Sequence, residues 1–290
     1  MLILQPDSDK QRNTKRMKPA LHFYDMAPGV AAFSTTRHGG YSMGNYGEFN
    51  INRYCGDSPE SVSHNREALC QLLSIGDDRL IMPHQTHGTR IARIGEAFLS
   101  LSSKERLQAL EATDALMTDL PHVCIGVSTA DCIPLLLYDP EHHAICAIHA
   151  GWRGTVARIA QQAVTAMQES YATRPLQLLA QIGPGISLAS FEVGQEVYDA
   201  FTQADFPMSA IARRYPASDN PQAEKWHIDL PACNRIQLLD AGLSPASIAP
   251  SPACTYQHPD TFFSARRLGI LSGRIFTGIM CQTPAACSNP

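Results

Sequence analysis

Apolar side chains gather in three closely spaced runs, residues 123–127, 133–138 and 144–148, each bounded by turn-forming residues. Short, unbroken apolar runs of this kind predict strands buried in a core. After the third run the period changes. Val156, Ile159, Ala160, Ala163, Ala166 and Met167 recur at steps of three and four, which predicts a helix with one apolar face. The Gly-rich HAGWRGT joins the third strand to this helix.

Further signals extend the pattern in both directions. Residues 178–182 read as a strand ending in GPGI, and 194–203 as a helix with Val197, Tyr198 and Phe201 inward. A short strand is expected at 228–230, then a helix opened by Pro231 and stopped by Gly242. Residues 274–280 alternate as a final strand, and 31–37 form an early one followed by the Gly-rich HGGYSMGNYG. Residues 209–225, rich in Pro, Ser, Asn and charge, read as a loop or insertion, and 283–290 as a frayed tail. Residues 1–20, carrying Lys10, Arg12, Lys15, Arg16 and Lys18, read as a mobile arm. No repeat and no shift of composition divides the rest, so one α/β domain over 21–282 is expected.

Composition narrows the class. Of 290 residues, 44% are hydrophobic and 17% charged, enough apolar material for a sizeable core and too little charge for global disorder. Lys and Arg number 23 against 27 Asp and Glu, so the net charge of −4 argues against a nucleic-acid partner held through phosphates. A membrane span needs about 18 consecutive apolar residues, and none exists. The N-terminus shows no apolar centre of a secretory signal, and Asp7 and Asp9 interrupt the charge pattern of a transit peptide, so a cytoplasmic protein is expected. Nine cysteines, irregularly spaced and without a CxxC pair, do not form a disulfide framework. Most are expected as reduced, buried small hydrophobes, with one exception.

That exception is Cys132. Three segments place metal-capable side chains where apolar strands end: QTHG with His87, TADC with Asp131 and Cys132, and HAGWRG with His149. Zinc accepts thiolate and imidazole together, and three protein ligands leave a position for reactant. Gaps of 45 and 17 residues are too irregular for a zinc finger but suit ligands assembled by neighbouring strands. The plain alternative is that Cys132 is inert packing and the histidines are surface or hydrogen-bonded core groups. His84 lies three before His87, but Gly88 and TRIARI argue for a loop then a strand.

The motifs FSTTRHGGYSMGNYGEFNIN, QTHG, DALMT, STADCIPLLLYD, AIHAGWRGT, IGPGIS, IDLPACNRIQL and CTYQHPDTFFSARR follow in one order. In this the chain resembles the YfiH-like family, whose members are called laccase-domain or multicopper polyphenol oxidases and, more recently, purine nucleoside phosphorylases. The resemblance spans about Phe33 to Met280, and the pairing of TADC with HAGWRG is its most specific part. It implies a layered α/β (α+β) sandwich of mixed sheets between helices. It also implies one zinc on His87, Cys132 and His149, with copper as the alternative ion. The implied reactions are phosphorolysis of adenosine, inosine and methylthioadenosine, and deamination of adenosine, in a monomer or homodimer. Peptidoglycan-precursor editing has also been linked to the family. Two departures stand out: an extra Thr in FSTTRHGG, and Tyr54 and Cys55 where the family often carries His and Val.

Those reactions suggest further roles. Phosphate attack on the ribose needs an anion site, for which Arg37, after a strand and before two glycines, is a candidate, with a surface salt bridge as the alternative. Asn50 either meets a sugar hydroxyl or caps its loop. Arg153 serves the anion or the fold, Trp152 packs, and Arg266 and Arg267 stand as cations behind the site. Asp131 is a candidate proton shuttle or partner of a ligand His, although strand alternation can turn it away.

Three rival readings remain open. A laccase needs many histidines, typically in HxH pairs, yet none of the eleven here lies two positions from another. A metal-free cysteine hydrolase would use Cys132 with His149 or His87 as base. A non-enzymatic nucleotide-binding module would want a fourth zinc ligand, and no pattern recruits His84, Cys124 or Cys146.

Overall fold

A computed structural model describes residues 18–251 and 253–282. The expected frayed tail and residues 1–17 of the expected arm lie outside the described residues. Lys18 to Ala20 belong to the folded part, since the Ala20 N–H donates to the His38 carbonyl at 3.2 Å.

In chain order the strands are β1 Leu21–Tyr24, β2 Val30–Thr35, β3 Leu80–Ile81, β4 Ile91–Arg93, β5 Ala115–Thr118, β6 Cys124–Thr129 and β7 Ile133–Asp139. There follow β8 Ala144–Ala150, β9 Leu179–Ile182, β10 Glu192–Val193, β11 Ala212–Pro216, β12 Glu224–Ile228, β13 Ile248–Ala249 and β14 Ile275–Cys281. The helices are α1 Pro59–Leu73, α2 Glu96–Leu99, α3 Ser103–Ala109, α4 Trp152–Val156, α5 Ile159–Tyr171, α6 Gln195–Gln203, α7 Met208–Ile211, α8 Leu230–Asp240 and α9 Ala265–Leu268.

One sheet has the order β1-β2-β14-β6-β3 and a second the order β13-β9-β7-β8-β5-β4. Both are mixed: β3–β6, β4–β5 and β9–β13 are parallel, the other pairs antiparallel. Ile125 and Val127 of the first sheet and Leu136 and Ala147 of the second share one buried cluster between the sheets. The alternate residues Leu135, Leu137, Cys146 and Ile148 face outward, onto α5 and α8. On the far side Phe33, Cys124 and Phe276 pack against Leu69 and Leu73 of α1. Four layers result, helix, sheet, sheet, helix. Strands covered on both faces have no polar side to show, and β7 and β8 are accordingly buried at every position.

The central strands, α6 and α8 fall within a residue or two of their expected places, while α5 runs from Ile159 to Tyr171, later at both ends than the expected face from Val156 to Met167. Three corrections follow. The HAGWRGT turn is itself helical as α4, broken from α5 by Arg158 in the left-handed region at φ 64°. The expected strand at 228–230 ends at Ile228, and Leu230 already belongs to α8, capped by the Asp229 carboxylate on the Ala232 N–H. Residues 209–225 are largely a hairpin, because β11 pairs with β12 and, with β10, forms a third sheet. Its polar composition reflects a solvent-facing strand, as β11 is exposed from Arg213 to Pro216.

Candidate metal centre and cleft

The gap between the two large sheets opens at one end, where the apolar layer gives way to polar side chains. His149 continues the inward parity of Ile145 and Ala147 on β8, and Cys132 precedes β7 in step with Pro134 and Leu136. His87 arrives on the loop before β4. The ligand atoms of His87, Cys132 and His149 all lie within 4.8 Å of one another. The two rings meet edge to face, centroids 4.8 Å apart.

The backbone makes room for this convergence. A Cβ on Gly151 would lie 2.8 Å from His87 Cδ2 and 3.1 Å from Cys132 Sγ, so only glycine leaves the space free. His87 and Asp131 both hold left-handed backbone, at φ 64° and 87°. Such conformations cost about 1–3 kcal/mol and persist where surrounding bonds enforce them.

Asp114 enforces the first. Fully buried just before β5, it continues the β5–β8 ladder opposite His149. One carboxylate oxygen accepts from His149 Nδ1 at 2.7 Å and from the His87 N–H at 2.9 Å; the other accepts from the N–H groups of Gly88 at 2.8 Å and Thr86 at 3.3 Å. A carboxylate only accepts, so Nδ1 carries a proton and Nε2 is the ring nitrogen left to face Cys132 and His87. The sequence reading missed Asp114. Its signal, an acidic residue opening the strand ALMT, becomes specific only once β5 is paired with β8.

Electrostatics agree with a ligand set. Burial raises the Cys132 thiol, but the His149 charge and hydrogen bonds from the His149 and His87 rings overcome it and bring the pKa down to about 6. Burial lowers His149, but the Cys132 charge and the Asp114 hydrogen bond raise it to about 9. The other cysteines among the described residues are free and buried, as expected of packing groups.

A cleft of about 510 Å³ opens over the triad. Its walls include Asn52, Tyr54, His84, Gln85, Thr129 and Arg274. Tyr54 and His84 stack, centroids 4.3 Å apart, and Glu111 holds His84 Nδ1 at 2.7 Å. The sequence marks Tyr54 as a departure from the family pattern and His84 as a weighed ligand, but not their pairing, which joins residues thirty positions apart.

The remaining candidates lie elsewhere. Arg37 donates Nε to the Gly47 carbonyl at 3.0 Å and Nη1 to that of Pro259 at 2.7 Å, with its guanidinium 5.0 Å from the Phe263 ring centre. Asn50 is buried and bonds Asp57, Asn52 and the Arg274 N–H, which is the work of a loop cap. Arg153 is exposed and stacks on Trp152 at 4.3 Å. The Asp131 carboxylate accepts from Thr255 Oγ1 and the Arg266 N–H, both at 2.7 Å, which supports its left-handed backbone. The Arg266 guanidinium reaches the Glu192 carbonyl at 3.0 Å, and that of Arg267 the Tyr256 carbonyl at 3.0 Å.

Fold and site together define an α/β sandwich protein in which, among the described residues, two imidazoles and a thiol meet in an open cleft as a group that could hold a metal ion. Residues 31–282 match the family model described as multi-copper polyphenol oxidoreductase laccase, and the chain belongs to this family. It is 48% identical over 251 residues to a purine nucleoside phosphorylase of Bacteroides thetaiotaomicron, covering 87% of this chain and 91% of that protein. It is 44% identical over 259 residues to adenosine deaminase RL5 of an unknown prokaryotic organism, covering 89% of this chain and 97% of that one. The crystal structure of Bacillus licheniformis hypothetical protein YfiH superposes with a TM-score of 0.80 at 27% identity, covering 90% of this chain and 99% of that one. Among the described residues no helix is long and apolar enough to cross a membrane.

Proposed function

We propose that this chain is a zinc-dependent purine nucleoside phosphorylase that releases base and ribose 1-phosphate from adenosine, inosine and methylthioadenosine, and also deaminates adenosine. The observation that carries this reading is the convergence of His87, Cys132 and His149 on one wall of a cleft sized for a small molecule. Relatives matched over most of their length and named purine nucleoside phosphorylase and adenosine deaminase support purine nucleosides as the substrate class.

The donors fit zinc: one thiolate, two imidazoles and a space that a side chain on Gly151 would fill. When bound there, zinc supplies Lewis-acid polarisation. The chain does the rest. Asp114 fixes the His149 tautomer and ties the His87 loop, so both rings stay aimed at Cys132. The stacked Tyr54–His84 pair offers a planar surface for a purine. In phosphorolysis a phosphate oxygen bonds to the anomeric carbon as the glycosidic C–N bond breaks, its electron pair leaving with the base, which takes up a proton. In deamination water adds at the ring carbon bearing the amino group, and ammonia leaves. With its Nδ1 held by Glu111, His84 has Nε2 to hold or deliver a proton.

Copper on the same three donors is the alternative ion. Among the described residues the triad is the one group of three or more His, Cys, Asp or Glu side chains placed to hold an ion, which gives a multicopper oxidase no second centre. A metal-free cysteine hydrolase draws support from the Cys132 thiol near pKa 6 beside His149.

The test is incubation of the pure protein with adenosine, with and without phosphate. Free adenine appearing only with phosphate supports phosphorolysis, and inosine supports deamination. Neither product from a protein carrying one zinc per chain would overturn the reading. Full activity in metal-free protein, lost on alkylation of Cys132, would favour the hydrolase.

A further inference from the structure

Side chains reach the open end of the inter-sheet gap from both sheets. Cys132 and His149 come from one. From the other comes Thr129, the last residue of β6, in step with Ile125 and Val127, whose side chains fill the layer between the sheets. Thr129 lines the same cleft as the triad and is only 2% exposed. Its Oγ1 has no hydrogen-bond partner among the described residues. An unmet buried hydroxyl costs about 1–3 kcal/mol, and folded proteins keep few of them.

The polar groups beside it are already committed. Ser128 N–H donates to Gln85 Oε1 at 2.8 Å, and Gln85 Nε2 donates to the Ser128 carbonyl at 2.8 Å. Asn52 Nδ2 donates to Ser128 Oγ at 2.5 Å, while Asn52 Oδ1 accepts from the Tyr54 N–H at 2.6 Å. This network braces the cleft wall and leaves Thr129 with unspent capacity.

We propose that Thr129 is a substrate-binding residue whose Oγ1 hydrogen-bonds a ribose hydroxyl of the nucleoside in the cleft. This rests on the proposed nucleoside reaction, in which the bond broken is at the ribose anomeric carbon; the sugar then lies against the triad, facing Thr129 across the gap. A neutral hydroxyl matches a sugar better than phosphate. The guanidinium lining this cleft, that of Arg274, spends Nη1 and Nη2 on the carbonyls of Ser272, Gly273 and Ile270, so its fork is not free to share an anion with Thr129.

The test compares wild type, Thr129→Val and Thr129→Ser on adenosine, 2′-deoxyadenosine and 3′-deoxyadenosine, with thermal unfolding of each ligand-free protein. Valine keeps the shape and removes the hydroxyl. The expected result is an unfolding midpoint for Thr129→Val equal to or above wild type, because no bond is lost in the free protein. Its kcat/KM for adenosine falls about tenfold, while one deoxynucleoside, lacking the contacted hydroxyl, is turned over as by wild type. Thr129→Ser restores adenosine turnover. An equal loss on all three nucleosides, no loss on adenosine, an effect confined to the KM for phosphate, or a lowered midpoint would each overturn the proposal. Wild type inert toward every nucleoside would instead overturn the parent reading, and this assignment with it.

Discussion

The buried Asp114 carboxylate accepts the Nδ1 proton of His149 at 2.7 Å and, through the same oxygen, the backbone N–H of His87 at 2.9 Å. One side chain therefore orients one metal-capable imidazole and fixes the loop that carries another.

Replacing Asp114 by Asn removes the charge and sets an amide donor against the N–H groups of Thr86 and Gly88, which now donate to it. Zinc affinity is expected to fall about 10–100-fold, as for other partners of metal-bound histidines. Competition with a coloured chelator measures this, and retained near-UV circular dichroism separates it from unfolding. Unchanged affinity would show that His149 needs no such support.

Gly151→Ala probes the space rather than the bonds. Gly151 has φ −69°, which alanine adopts without strain, so the fold should survive while the new methyl crowds His87 and Cys132. Zinc content on elemental analysis is expected to drop with little change in unfolding midpoint. A fully loaded variant would argue against the triad as the binding site.

In metal-free protein the Cys132 thiol, lowered to about 6, should be alkylated at a rate that rises through pH 6 rather than near 9. Zinc should block the reaction. Stability reports the pair poorly. The lowered thiol makes stability rise with pH between about 6 and 9, whereas His149, raised to about 9, is stabilising below about 6.5 and loses that contribution as pH climbs to 9. The opposite slopes nearly cancel. An alkylation profile centred near 9 would sink the ion-pair description.

Asp139 offers a clean acid-stability test away from the site. At 1% exposure it accepts from Thr173 Oγ1 at 2.6 Å, His142 Nδ1 at 2.8 Å and the N–H groups of Glu141 and His142. Burial would raise its carboxyl, but the bonds from Thr173 and His142 hold it below the ordinary range. A lowered carboxylate contributes stability that is full above its unfolded pKa near 4 and is lost as pH falls through the folded value. Asp139→Asn is expected to cost about 2 kcal/mol at pH 7 and to flatten stability below pH 5, measured by urea unfolding. A variant as pH-dependent as wild type would refute the assignment.

Much of this was legible along the chain. Unbroken apolar runs such as 133–138 require burial on both faces, and a step of three and four can bury only one face of a helix, so the central strands and α5 follow from the order of side chains alone. The same order placed His87, Cys132 and His149 at strand ends, where a thiol and imidazoles have metal chemistry available to them. Tertiary structure decided what depends on partners. β5 pairing with β8 set Asp114 opposite His149, and two sheets meeting face to face left Thr129 lining the same cleft as the triad. Arg37 and Asn50, whose residue types suit phosphate and sugar, have partners the sequence does not show: Arg37 Nε and Nη1 meet the carbonyls of Gly47 and Pro259, and the Asn50 amide meets Asn52 and Asp57. Hydrogen-bonding capacity belongs to the residue, but which partner consumes it depends on segments far away in sequence, and only folding brings those within 3 Å.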